Sequence, residues 1–187
     1  MFRDDRQKEE YVIALDFLPH GYPFDNQPGY KKTPIVQAIG KVNFILLELV
    51  PKKEIFIQPL EEIYIGDGKR DKIHHINGRL DVIKLTTTAK SQLKFVVEDL
   101  INKDEDRFIN FFNEAQPLTT RMHQLELLPG LGKKHMWEIL DERKVNHFKN
   151  FADLKKRIRL LPDPKKALVR RIIDELSGKE KHKVFIA

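Results

Sequence analysis

The sequence predicts an α+β protein, in which a small β-barrel or highly curved sheet precedes a helical region. Three observations predict it. Between residues 10 and 84, short runs rich in Val, Ile, Leu and Phe are separated by turn-forming segments, with no helical period between them. From residue 86 onward, apolar residues recur at helix spacing. The excess positive charge also belongs to the C-terminal third: residues 119–187 hold 17 Lys+Arg against 9 Asp+Glu, and residues 1–118 hold 17 against 19. The expected organisation is a β domain over 1–85, a helical connector over 86–118 and a helical domain over 119–187.

Composition narrows the class. Hydrophobic residues make up 41% of the 187, enough to bury a core, so a wholly disordered chain is excluded. The absence of cysteine removes disulfides, thiolate zinc sites and cysteine nucleophiles, and fits a reducing compartment. The opening MFRDDRQKEE has no apolar core of the kind a secretory signal needs. FILLELV (44–50) is far too short to cross a bilayer. A soluble cytoplasmic protein without a membrane partner is the expectation.

Taken in order, YVIALDFL (11–18), PIVQAIGKVNFILLELV (34–50), EIFIQPL (54–60) and RLDVIKL (79–85) read as strands. The second run is one long strand or two, with Gly40 marking a bend or bulge. HGYPFDNQPGY, VPKKE and GDGKRDK supply turns. In TTTAKSQLKFVVEDLI the Thr cluster suits a helix N-cap, and Leu93, Val96, Val97, Leu100 and Ile101 fall on one helical face. NKDEDRFINFFNEA follows as a second helix, with Asn102 and Glu105 spaced as a capping box. Its Phe108, Ile109, Phe111 and Phe112 read as helix core rather than as a base-stacking surface, because they recur at helix spacing. Thr119 or Thr120 is placed to cap a short helix, RMHQLEL. Further helices are expected over about 133–144, in NHFKNFADLKKRIRLL, and in PDPKKALVRRIIDELSG with Gly178 as its C-cap.

An internal repeat organises the last third. LLPGLGKKHMWEILDE (127–142) aligns without gaps on LLPDPKKALVRRIIDE (160–175), sharing Leu-Leu-Pro before the turn and Asp-Glu at the end. Each copy reads as a helix, a tight hairpin and a second helix, and the pair can bury a core that one copy cannot. The first copy resembles the helix-hairpin-helix motif through Leu128, Pro129, Gly130, Leu131, Gly132 and Lys133. That resemblance implies that the glycines expose backbone N–H groups to a phosphate at the N-terminus of the second helix, where the dipole also favours an anion. Leu131 then tucks into the core, while Lys133 and Lys134 add charge and counterion release. In the second copy Asp163, Pro164 and Lys165 replace the glycine turn, so this hairpin reads as structural. Lys165, Lys166, Arg170 and Arg171 still offer side-chain contacts to a backbone. Such contacts position a nucleic acid without reading its sequence.

Signals for catalysis are missing. There is no P-loop, no GxSxG and no HExxH. The seven histidines show no paired ligand spacing, and alternation along a strand would place His74 and His75 on opposite faces. Asp67 and Asp71 lie in a charged turn and read as solvated, so no metal and no cofactor are expected.

The whole chain resembles a family of small archaeal proteins described as predicted RNA-binding proteins. Its most specific stretches are LTTTAKSQLKFVVEDLI, RFINFFNEAQPLTTRMHQLELLPGLGKKHMWEILDERK and RLLPDPKKALVRRIIDEL. The resemblance implies an N-terminal OB-like β-barrel followed by an all-helical tandem helix-hairpin-helix domain. OB-like barrels bind single strands by stacking, and the loop at 20–32 carries Tyr22, Phe24, Tyr30, Lys31 and Lys32. That loop reads equally as a connection whose aromatics pack on the barrel. The expected function is non-catalytic nucleic-acid binding, on structured RNA of the ribosome or translation machinery. DNA binding is the rival, and so is a protein-interaction adaptor in the translation or transcription apparatus.

Overall fold

The computed structural model describes residues 8–23, 28 and 32–186. The chain divides into two compact units, Met1–Val96 with Glu175–Ala187, and Val97–Asp174. The fold is α+β.

In the first unit, β1 (Tyr11–Leu18), β2 (Ile35–Gly40), β3 (Leu46–Pro51), β4 (Glu62–Tyr64) and β5 (Ile73–Arg79) form one antiparallel sheet in the order β4-β1-β2-β3-β5. It curls into a half-barrel around Val12, Ala14, Val36, Ala38, Leu47 and Leu49. The 34–50 run is two strands, turned at Phe44, which is fully buried with φ 54°. Gly40 is needed for a close approach: a Cβ there would lie 2.0 Å from Glu9 Oε1. Glu9 in turn accepts hydrogen bonds from the Val42 and Asn43 N–H groups, which hold the turn.

Three expectations for this unit are corrected. Residues 54–60 do not form a strand, because Glu54 and Leu60 adopt φ 64° and 66° and break the extended backbone. The apolar character there reflects Ile57, which is fully buried in the sheet's core. Residues 79–85 hold only the end of β5 and a 3-10 turn at Val82–Lys84. The strand is IHHINGR instead. Its register against β3 slips between Val50 and Pro51, so the extra residue His74 breaks alternation. His74 and His75 are therefore neighbours, with their Nδ1 atoms 2.8 Å apart, rather than on opposite faces. Among the described residues no group of three or more metal-ligating side chains forms.

A polar row crosses this sheet. Asp16, Gln37 and Glu48 lie directly opposite one another on β1, β2 and β3. Gln37, fully buried, donates to the Lys84 carbonyl and accepts from the Thr86 N–H, which fixes the entry to α1 (Thr87–Lys103). Thr86 caps that helix through the Ala89 N–H, as the Thr cluster suggests. At the other end of the chain the buried carboxylate of Glu175 accepts from the N–H groups of Val184, Phe185 and Ile186.

The second unit contains α2 (Glu105–Glu114), a two-stranded hairpin of β6 (Pro117–Thr119) and β7 (Met122–His123), a 3-10 turn at Gln124–Leu127, α3 (Lys133–Val145), α4 (Phe151–Arg157) and most of α5 (Pro164–Leu176). Phe108, Ile109 and Phe112 are buried and Phe111 half-buried, so these aromatics are packing residues. The Asn102–Glu105 capping box does not form, because α1 runs on through Lys103. Glu105 accepts instead from the Phe151 N–H, and Asn102 from Lys165 Nζ. Neither Thr119 nor Thr120 caps a helix: the β6–β7 hairpin occupies that stretch, Thr119 Oγ1 accepts from the Arg121 N–H within it, and the region is not wholly helical.

The cap of the 3-10 turn is His123. Its Nδ1 accepts from the Leu125 N–H, while its own N–H is held by Glu126. Burial first, and then the Arg143 guanidinium, push this imidazole below its ordinary 6.5, against the pull of Glu126. Protonation also removes the lone pair that makes the cap. With the folded value depressed, the unfolded chain binds more protons just below 6.5. His123 therefore contributes stability that is complete above 6.5 and is lost as pH falls below it. His123→Asn, which keeps a capping oxygen, should flatten that part of a plot of melting temperature against pH; an unchanged slope would show that the cap does not titrate.

Candidate nucleic-acid interface

The glycine stretch is built by two ordinary rules. Leu128, Pro129, Gly130 and Leu131 form a turn closed by the Leu131 N–H on the Leu128 carbonyl at 3.0 Å. Proline sits where φ is already set, and Gly130 takes φ 88°, the combination of a type II turn. Leu131 then points inward and is buried, so the turn is braced from beneath. Gly132 follows as the N-cap of α3 in an extended conformation, φ −88° and ψ 179°. Its carbonyl accepts from Met136 N–H, while open space surrounds the place a Cβ would occupy.

The three helix starts that follow the β6–β7 hairpin differ in one respect. Asn150 caps α4 through the Asp153 N–H at 2.8 Å. Asp163 caps α5, its Oδ1 accepting from Lys165 N–H at 3.0 Å and Lys166 N–H at 3.3 Å. Gly132 offers no side-chain acceptor, so the first N–H groups of α3 carry no side-chain cap. At α5 a carboxylate already occupies the anion position. At α3 that position is open to solvent, with Gly130, Gly132, Lys133 and Lys134 all exposed.

The two turns adjoin. A Cβ on Gly130 would meet Pro162 Cγ at 3.4 Å, and Lys155 Nζ lies 4.0 Å from Asp163 Oδ2. The repeat keeps its packing register, Ile139 and Ile172 both being fully buried. However, α5 starts two residues early, at Pro164, which aligns with Leu131 rather than with Lys133. That shift makes Asp163 the cap of α5.

The remaining basic positions fall into different environments. Lys166 and Arg170 are exposed, Arg170 beside Asp174 at 3.9 Å. Lys165 donates to Asn102 Oδ1 at 2.7 Å and lies over the Phe151 ring. Arg171 is 4% exposed and donates to the Leu127 carbonyl, so its charge is spent bracing the first turn from within rather than presented to solvent. Nothing in the sequence distinguished Arg171 from Arg170 except helical phase, which turns 171 toward the core. In the first unit, the Tyr22 hydroxyl donates to Glu48 at 2.6 Å and accepts from Gln37. Burial and the Glu48 hydrogen bond push it up to about 12, which keeps it a neutral donor. Lys32 Nζ donates to the Tyr22 carbonyl at 2.7 Å. Phe24, Tyr30 and Lys31 lie outside the described residues.

Among the described residues no helix is long and apolar enough to cross a membrane. Comparison with known proteins places the chain in a group. Residues 8–187 match a family described as "Protein of unknown function (DUF655)". "Uncharacterized protein MJ0038" of Methanocaldococcus jannaschii is 44% identical over 178 residues, covering 95% of this chain and 79% of that protein. The crystal structure of Af1531 from Archaeoglobus fulgidus is similar with a TM-score of 0.86 and 43% identity, covering 96% of this chain and 100% of that one.

Proposed function

The chain belongs to the DUF655 family, and we propose that it is a non-catalytic protein that grips the phosphate backbone of a nucleic acid at the N-terminus of α3. The uncapped, exposed first turn of α3 beside Lys133 and Lys134 carries this reading. Unpaired N–H groups, the positive end of the helix dipole and two lysines together favour a phosphate. The glycine turn lets the backbone approach it closely. The reading treats residues 124–145 as a helix-hairpin-helix motif, and 151–176 as a second copy whose anion position Asp163 has filled. The curled five-stranded sheet supports an OB-like barrel in the first unit. Structured RNA is the favoured polymer, in keeping with the basic surplus of the C-terminal third. A cytoplasmic site of action and a place in translation are parts of the same proposal.

The test is fluorescence anisotropy against matched structured RNA, duplex DNA and single strands at two salt concentrations. Binding that prefers one polymer and persists near physiological salt is expected. Weak binding to all of them that vanishes with salt would instead favour a protein-interaction adaptor. Lys133→Ala with Lys134→Ala should flatten the slope of affinity against salt by about two counterions.

A further inference from the structure

Trp137 is the chain's single tryptophan, and it is 58% exposed. Tryptophan is large, and burying it would ordinarily stabilise a small domain. Among the described residues it takes part in none of the ring or cation contacts that engage other aromatics. Its place on α3 follows from helix geometry. Met136 and Ile139 turn inward, while Lys133, Lys134, Trp137, Asp141 and Lys144 are exposed. At 3.6 residues per turn, Trp137 falls between Lys133 and Lys134 in angular position, one turn further along the same stripe. Helical side chains lean toward the N-terminus, so the indole covers surface in the direction of Gly132 and the open first turn.

We infer that Trp137 is a stacking platform for one unpaired nucleobase whose own phosphate is held at the start of α3. This rests on the phosphate reading above and adds the form of the ligand. Along the axis Lys133 and Trp137 are separated by roughly 6 Å, the reach of one nucleotide from phosphate to base. A paired base presents only its edges, because its faces are covered by neighbours in the duplex. A base in a loop, a bulge or a single strand offers a face to an indole. The lysines on either side give the charge complementarity that selects a nucleotide over an apolar peptide. The ligand class is therefore a single-stranded or looped segment, whether of RNA or DNA, rather than continuous duplex.

The lone tryptophan makes the test direct, since its fluorescence reports on no other residue. The probes are a short single-stranded RNA, the same strand annealed to its complement, and both in DNA form. Each is followed by anisotropy of a label on the oligonucleotide and by tryptophan emission. Binding of the single strand with quenched emission is expected, together with a loss of affinity of roughly tenfold or more in Trp137→Ala and partial retention in Trp137→Phe. Anisotropy that rises without quenching, or an unchanged affinity in Trp137→Ala, would overturn the stacking role and leave the phosphate reading standing. A preference for the annealed duplex would do the same. No binding of any probe would overturn both.

Discussion

Gly132→Val is expected to lower affinity for nucleic acid at least tenfold while the protein remains folded. The backbone at 132 is extended, a conformation valine adopts without strain, and nothing lies within 4 Å of the new Cβ. The cost to the helix start is about 1 kcal/mol. The branched side chain instead fills the space through which a phosphate reaches the first N–H groups of α3. Gly130→Val is a different experiment. Gly130 has φ 88°, where a β-branched residue is strained whatever the space around it, and its Cβ would only touch Pro162. That substitution should lower the melting temperature, and any loss of binding would be ambiguous. A Gly132→Val protein that melts normally and binds normally would remove the hairpin from the site.

Asn113→Ala is expected to be the most damaging polar substitution in the second unit. Asn113 is 8% exposed on α2, and its amide pairs with both backbone groups of Phe148. Nδ2 donates to the Phe148 carbonyl at 3.0 Å, and Oδ1 accepts from the Phe148 N–H at 2.8 Å. Phe148 is itself buried, and the Arg157 guanidinium lies over its ring at 4.4 Å. Alanine would leave a donor and an acceptor without partners in a site closed to water. Each such group costs about 1–3 kcal/mol, so a loss of roughly 2–5 kcal/mol is expected. In a chain of this size that is on the order of 10 °C in melting temperature. Thermal unfolding followed by circular dichroism checks it; a shift of only a degree or two would mean that the Phe148 backbone finds other partners.

The parts of this fold that were legible in the sequence are those where one physical cause dominates. β1, β2 and β3 are buried on both faces or nearly so, and their apolar runs reported it. α1, α2 and α5 carry a 3.6-residue apolar period, and the Pro-Gly turn declares its own conformation. IHHINGR was missed because β5 pairs at an edge, faces solvent with His74, His75 and Asn77, and contains two register slips. EIFIQPL misled for the converse reason: Ile57 is apolar because it fills a core, not because its backbone joins a ladder. The loop 117–123 gave no strand signal, as a three-against-two-residue hairpin needs none. In the candidate site, the glycines and lysines stand out by residue type alone. The roles of Asp163 as cap and Arg171 as buried brace depend on helix phase to within one residue, and that precision came only with the structure.

Binding at the start of α3 is tested best by an experiment that locates the contact residue by residue. Backbone amide shifts of the 15N-labelled protein should be followed as structured RNA is added. The largest changes are expected at Gly130, Gly132, Lys133 and Lys134, with the Lys165 and Lys166 amides, which Asp163 already holds, moving little. Changes centred on the first unit instead, or on the start of α5, would contradict binding at α3.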